Sequence, residues 1–337
     1  MKAEKSIYFD LMLTLVPIAF MSYSYYGTRT LILCIIAMLT CLITDYICIL
    51  LRGKRFSPED MGSIVTGMIV ALMMPASIPY NILILTCFVS IIIGKQVFGG
   101  RRNLVFPPAA VGFVFSTISW GKYTMLYPKP YAELDTTFSV SNTLLPSLSS
   151  IINSTETVNV LDTDLMLGNF TGPMGATSII VLAVCALVLM FRRSIAIMTT
   201  LGVIGTIVTY SFLFPLGNTP FKYTIYQLVG NMVIFGSIYI ASDLRITPSS
   251  KIPRFIYGII IGLFTCYLTR ELKVENAIIY ATIIACPLAI AMDDYTIRVK
   301  AKITAIYVDK IQPNMKKIIT KVRAFLSNRG ENDEING

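Results

Sequence analysis

The chain has 337 residues, 55% of them hydrophobic and 14% charged, with a mean hydropathy of +0.69. A soluble domain carries roughly 25% charged residues, so this composition excludes an ordinary soluble enzyme and points to an all-α polytopic membrane protein. The net charge of +9 is then a matter of topology rather than a nucleic-acid footprint, and membrane lipid is the expected surroundings. With no histidine in the chain, imidazole-ligated haem and most His-based proton relays are excluded as well.

Apolar runs predict about ten transmembrane helices. The first five fall near residues 9–26, 31–51, 63–76, 80–94 and 108–120, and the second five near 177–191, 195–213, 226–241, 255–269 and 276–291. Several are short for a bilayer of about 30 Å, which favours tilted or interrupted helices. Placing the N-terminus in the cytoplasm leaves only Arg29, Lys122, Lys129, Lys222, Arg270 and Lys273 of the 28 basic residues outside. That bias supports the span count and puts both termini inside and Thr177 on the outer face. An even count divides into two inverted five-helix halves, 1–120 and 177–292, separated by an outer loop 121–176 and followed by a tail 293–337.

The third span of each half is broken by Gly, Pro and hydroxyl residues. One runs from Gly62-Ser63 through Gly67 to Met74-Pro75, and the other from Gly230-Asn231 to Ser242-Asp243. Such breaks either line a cavity or mark small-residue packing. Cys34, Cys41 and Cys48 repeat every seventh residue, so they share one helix face, where packing is the expected role. Asp45 is the clearest ionisable group within a span; it serves an ion path or pairs with a base at the helix end. Lys95, Arg101 and Arg102 anchor an inner loop or dock a partner. The outer loop, with Glu133, Asp135 and Asp164 among Ser, Thr and Asn clusters, faces a partner or covers a site. In the tail, Met315, Ile318, Val322 and Phe325 form an apolar stripe beside lysines, the pattern of a helix lying on anionic lipid.

One string carries the chemistry. Gly172-Pro173-Met174-Gly175-Ala176-Thr177-Ser178 leads from the loop into an apolar helix. Two glycines and paired hydroxyls at a helix start make a place for a phosphate, since unpaired N–H groups and the positive end of the dipole meet there. The alternative is that Thr177 merely caps the helix.

Taken with Gly94-Lys95-Gln96-Val97-Phe98-Gly99-Gly100, Asn103, Phe106-Pro107-Pro108-Ala109 and the run from Val65 to Pro75, this string resembles the RnfD/NqrB family. The chain's length is most similar to the D subunit of Rnf-type ion-translocating oxidoreductase complexes. The resemblance implies a bacterial inner-membrane electron-transfer subunit, part of a redox-driven ion translocase and not catalytic alone. It implies FMN joined through its phosphate to Thr177 by a flavin transferase, with Gly172 and Gly175 leaving room and Ser178 adding a hydrogen bond. It further implies partner subunits, membrane and peripheral, and a second, non-covalent flavin such as riboflavin near Lys95, Asn103 and Asp243. Pro107 stands where the family usually has Asn, Ala176 replaces a common Glu, and Asp243-Leu244 replaces Asp-Pro. These departures point to a divergent branch serving extracellular or fumarate-type electron transfer. Two rival readings stay open: a small-molecule permease on an inverted-repeat fold, and a scaffold subunit that has lost its flavin.

Overall fold

A computed structural model of the chain describes residues 4–53, 61–100, 103–132, 134, 144–154, 164, 167–215 and 219–300. The chain divides into two units, Met1–Ala289 and Ile290–Gly337. The second is described only up to Lys300, so the apolar stripe at 315–326 lies outside the described residues, as do Arg101 and Arg102.

The first unit is built from helices. The first half holds α1 (Glu4–Tyr26), α2 (Thr28–Leu51), α3 (Gly62–Met73), α4 (Tyr80–Ile91) and α5 (Pro108–Ser119). α4 continues as a π turn over Ile92–Gln96. A short α6 (Gly121–Thr124) leads to β1 (Leu126–Tyr127), which pairs antiparallel with β2 (Leu145–Pro146), Leu126 opposite Pro146; α7 (Leu148–Ser154) follows. After a 3₁₀ turn at Met174–Ala176 come α8 (Ile179–Phe191), α9 (Ile197–Leu213), α10 (Pro220–Gly230), and α11 (Val233–Gly236) with its π extension Ser237–Ala241. α12 (Lys251–Arg270) and α13 (Ala277–Lys300) complete the described chain.

Length separates these helices into two groups. Four segments, Ser6–Tyr26, Thr28–Leu51, Lys251–Arg270 and Ala277–Lys300, are long and apolar enough to cross a membrane. A fifth is made if α10 and α11, bent by 57°, are one broken span. The remaining apolar helices are shorter; the 12 residues of α3 rise roughly 18 Å, well under a bilayer core.

α2 shows why the pieces pack as they do. Leu33, Cys34, Ala37, Cys41, Thr44 and Asp45 form its buried face at helical spacing, so Cys34 and Cys41 are packing residues, with Cys48 half-buried beside them. α3 is buried almost throughout. Gly67 lets it approach α2, since a Cβ there would stand 2.5 Å from the Ala37 carbonyl. Its break at Met74-Pro75 is held by Arg29 at the start of α2. The fully buried guanidinium donates to the carbonyls of Ala76 at 2.9 Å and Ile78 at 3.0 Å and lies over the Tyr80 ring. In the second half α9 and α12 cross closely through glycines; a Cβ on Gly202 would meet the Phe255 carbonyl at 2.6 Å.

The second break has a less obvious cause. α10 ends at Gly230, and Met232 takes a left-handed φ of 52° before α11 starts. A buried file of side chains runs up α10: Ser149 donates to Asn231, Asn231 donates to Gln227 at 2.6 Å, and Gln227 donates to the Tyr223 hydroxyl at 3.0 Å. This file ties α7 to the broken helix.

Candidate functional site

The string around Thr177 folds onto the two breaks. Pro173 is extended and starts the 3₁₀ turn Met174–Ala176. The Met174 N–H donates to the Met74 carbonyl at 3.2 Å, just past the end of α3. The Met174 carbonyl accepts from Ser22 on α1 at 2.6 Å and from the Thr177 hydroxyl at 3.3 Å. Gly175 sits at the crossing itself. A Cβ there would lie 2.7 Å from Leu72 Cβ on α3 and 3.1 Å from the Phe235 ring on α11. The room expected at Gly175 is therefore filled by those two side chains, and that at Gly172 is bordered by the Phe170 ring, 3.2 Å from where a Cβ would be.

The helix begins two residues later than the sequence suggested. Ser178, not Thr177, holds the capping position of α8, and it makes no side-chain capping bond. The first N–H groups of α8 thus point out of the helix end uncapped, with the dipole behind them. Thr177 is 1% exposed and Ser178 6%. Gly168, in the segment Leu167–Gly172, packs against the peptide between them.

Lys95 departs from the loop position expected of it. The π turn swings it inward, where its ammonium meets Asp45 Oδ2 at 2.8 Å and Ser63 Oγ at 2.9 Å. Gln96 also donates to Asp45. Lys95 is 4% and Asp45 0% exposed, so neither faces a docking partner. Of the two roles open to Asp45, pairing with a base is the one this geometry displays. A basic residue followed by Gly-rich sequence reads as a loop; the extra residue of the π turn is what turns it in.

Asp243 lies elsewhere. Arg245 Nε reaches Asp243 Oδ1 at 2.9 Å, and its other arm donates to the Tyr8 hydroxyl at 2.9 Å. Burial would raise the Asp243 carboxyl, but the charge and hydrogen bonds of Arg245 overcome it and hold the group below its usual value. These residues line a cleft of about 540 Å³, counted to its open mouth, with Thr66, Ser194 and Tyr239. Lys95 and Asn103 are not among its walls. Asn103 is exposed on the turn formed by Gly99 and Gly100, both at positive φ. The three residues assigned to a second flavin are not gathered in one pocket.

Sequence reasoning missed Asp10. It is fully buried on α1, salt-bridged to Arg192 Nε at 2.6 Å and hydrogen-bonded by Ser194. An acidic residue inside an apolar run was the available signal.

The model of the NQR2, RnfD, RnfE family matches residues 2–302. The chain belongs to that family. Among curated relatives, it is 22% identical over 308 residues to the D subunit of the proton-translocating ferredoxin:NAD(+) oxidoreductase complex of Clostridium ljungdahlii, covering 89% of this chain and 92% of that one. It is 24% identical over 306 residues to the D subunit of the ion-translocating oxidoreductase complex of Actinobacillus succinogenes, covering 81% and 86%. The corresponding Rhodobacter capsulatus protein is 26% identical over 265 residues, covering 70% and 74%.

Proposed function

We propose that this chain is the D subunit of an Rnf-type ion-translocating oxidoreductase complex in a bacterial inner membrane, carrying FMN joined by a phosphodiester to Thr177. The observation that carries the reading is the position of that threonine. Its hydroxyl lies two residues before the uncapped start of α8, on a turn docked against the breaks of α3 and α11. The residues fit the group by their donor chemistry: a primary requirement is a hydroxyl to esterify, and a second is N–H donors for a phosphate that keeps one negative charge. The Thr177 hydroxyl has only a 3.3 Å bond to the Met174 carbonyl to give up.

Bound there, the flavin supplies one-electron steps between a donor and an acceptor on partner subunits. The chain's own residues orient and enclose it. Ser178 and the α8 N–H groups hold the phosphate, Gly175 fixes the turn against Leu72 and Phe235, and the apolar side chains of α3 and α11 exclude water. Ten helical segments in two inverted halves are the architecture of this reading, and the packing of α2 on α3 and α4, matched by that of α9 on α10 and α12, supports it.

Co-expression with a flavin transferase tests the covalent site. On a denaturing gel the wild-type band fluoresces under ultraviolet light and the Thr177→Ala band does not. A dark wild-type band, alongside a control substrate that is labelled, refutes the assignment and returns the permease and scaffold readings.

A further inference from the structure

A residue that must react with an enzyme should be reachable, and Thr177 is not: it is 1% exposed. Against its peptide lies the segment Leu167–Gly172, held at both ends. The Tyr25 hydroxyl on α1 donates to the Leu167 carbonyl. The Gly168 and Asn169 N–H groups donate to the Asp164 carbonyl at 2.9 and 2.8 Å. At the far end Thr171 Oγ1 donates to the Pro146 carbonyl at 2.9 Å, and the Leu148 N–H donates to the Thr171 carbonyl at 3.1 Å. The Phe170 ring is buried with Leu148, Tyr223, Tyr226 and Val229.

Gly168 is where this strap meets the reactive residue. Its φ is +87°, a conformation L side chains rarely adopt, and a Cβ there would stand 2.5 Å from the Thr177 carbonyl oxygen and 3.1 Å from the Ser178 nitrogen. Strap backbone therefore lies directly on the peptide between the two hydroxyl residues. Any larger residue at 168 meets both a backbone penalty and a clash with backbone, which cannot yield as a flexible side chain does.

We propose that Gly168 is a positioning residue for the modification of Thr177: it lets the Leu167–Gly172 strap close over that residue, and the transferase acts while the strap is off. The proposal rests on Thr177 being the attachment residue. In the step itself Thr177 Oγ1 forms a bond to phosphorus of a flavin dinucleotide, and the diphosphate P–O bond breaks. The nucleoside monophosphate leaves with that bonding pair, and the hydroxyl proton passes to a base on the transferase. Nothing is oxidised or reduced. Closed, the strap shuts the hydroxyl away from the transferase; closed after the reaction, it holds the linkage out of water.

The experiment separates order of events from final yield. Full-length wild type and Gly168→Val are purified without transferase, then given transferase and flavin dinucleotide, and in-gel fluorescence is followed with time. Gly168→Val is labelled faster by about tenfold or more, the factor corresponding to the left-handed backbone penalty alone. Tyr25→Phe, which keeps the fold's packing and loses only the clamp on Leu167, is labelled at an intermediate rate. Co-expressed with transferase, all three reach the same final labelling. Equal rates for the three overturn the proposal. A second readout needs no flavin: Thr177→Cys is titrated with a maleimide in the presence and absence of Gly168→Val, the parent chain giving the background of the native cysteines. Thiol labelling accelerated by Gly168→Val supports the strap even where no variant takes flavin, an outcome that sinks the attachment reading alone. Equal thiol rates sink the strap.

Discussion

Removing the Asp45 carboxylate while leaving Lys95 in place is the most demanding test of the interior. Lys95 is 4% exposed, and its ammonium is held by Asp45 Oδ2 at 2.8 Å and Ser63 Oγ at 2.9 Å. In Asp45→Leu the ammonium would keep one neutral oxygen and lose its counter-charge. Breaking a buried pair from one side costs about 3–5 kcal/mol, because the surviving charge stays desolvated. Solvent screening offers no discount here, since both groups are enclosed. Replacing both partners is different. Asp45→Leu with Lys95→Met removes the charges together, and such exchanges are often neutral or stabilising. The double variant should therefore recover most of what either single variant loses, a coupling of about 3 kcal/mol or more. The assay is thermal unfolding of the purified full-length chain in one detergent, read for wild type, both singles and the double. If the single losses simply add in the double, or each stays under about 1 kcal/mol, the reading of a mutually dependent buried pair is wrong.

Two more tests use buried polar groups around α7. Asn231→Ala cuts the file from Ser149 to Tyr223, leaving Gln227 Oε1 without its 2.6 Å donor; unfolding measurements should show a loss of about 1–3 kcal/mol, and a loss within about 0.5 kcal/mol would show that the file contributes nothing. Glu275, which accepts from Ser147, has its carboxyl pushed up by burial. A raised folded pKa means that its contribution is complete below the unfolded value and is lost as pH rises through the folded one. Glu275→Gln, which keeps the acceptor oxygen and cannot ionise, should gain stability over wild type as pH rises above the ordinary carboxylate range; a gain that shrinks with rising pH would contradict the sign.

Much of the helical order was legible because apolar runs bounded by Gly, Pro and charge are strong signals, as at Pro108 and Gly230. The turn before Thr177 was legible for the same reason. Its burial was not, because the strap closes from residues whose sequence, Leu167-Gly168-Asn169, reads as ordinary loop. Lys95 misled for a different reason. Counting basic residues by topology assumes that each one faces water, and a single π turn moves one inside without changing the sequence pattern. The left-handed Met232 had no signature either, since only its surroundings force a methionine to φ of 52°. Asp10 and Arg29 were in plain view as charges at or within apolar runs, yet their partners are 184 residues away in one case and 47 in the other. Local pattern cannot supply such pairings.

Arg29 also has a bearing on how the protein is made. α2 carries Arg29 near one end and Arg52 just past the other, so whichever way it enters the bilayer one arginine must be carried across. Arg29 is the enclosed one, and its acceptors Ala76 and Ile78 lie 47 and 49 residues further along the chain. At about 5–20 residues per second, synthesis supplies them roughly 2–10 s after Arg29 itself. During that interval the nascent hairpin of α1 and α2 has a cation awaiting its carbonyls. Membrane integration of the first hairpin is thus coupled to translation past the third helix, and a ribosome stalled before Ala76 would strand an intermediate for the quality-control proteases of the cell.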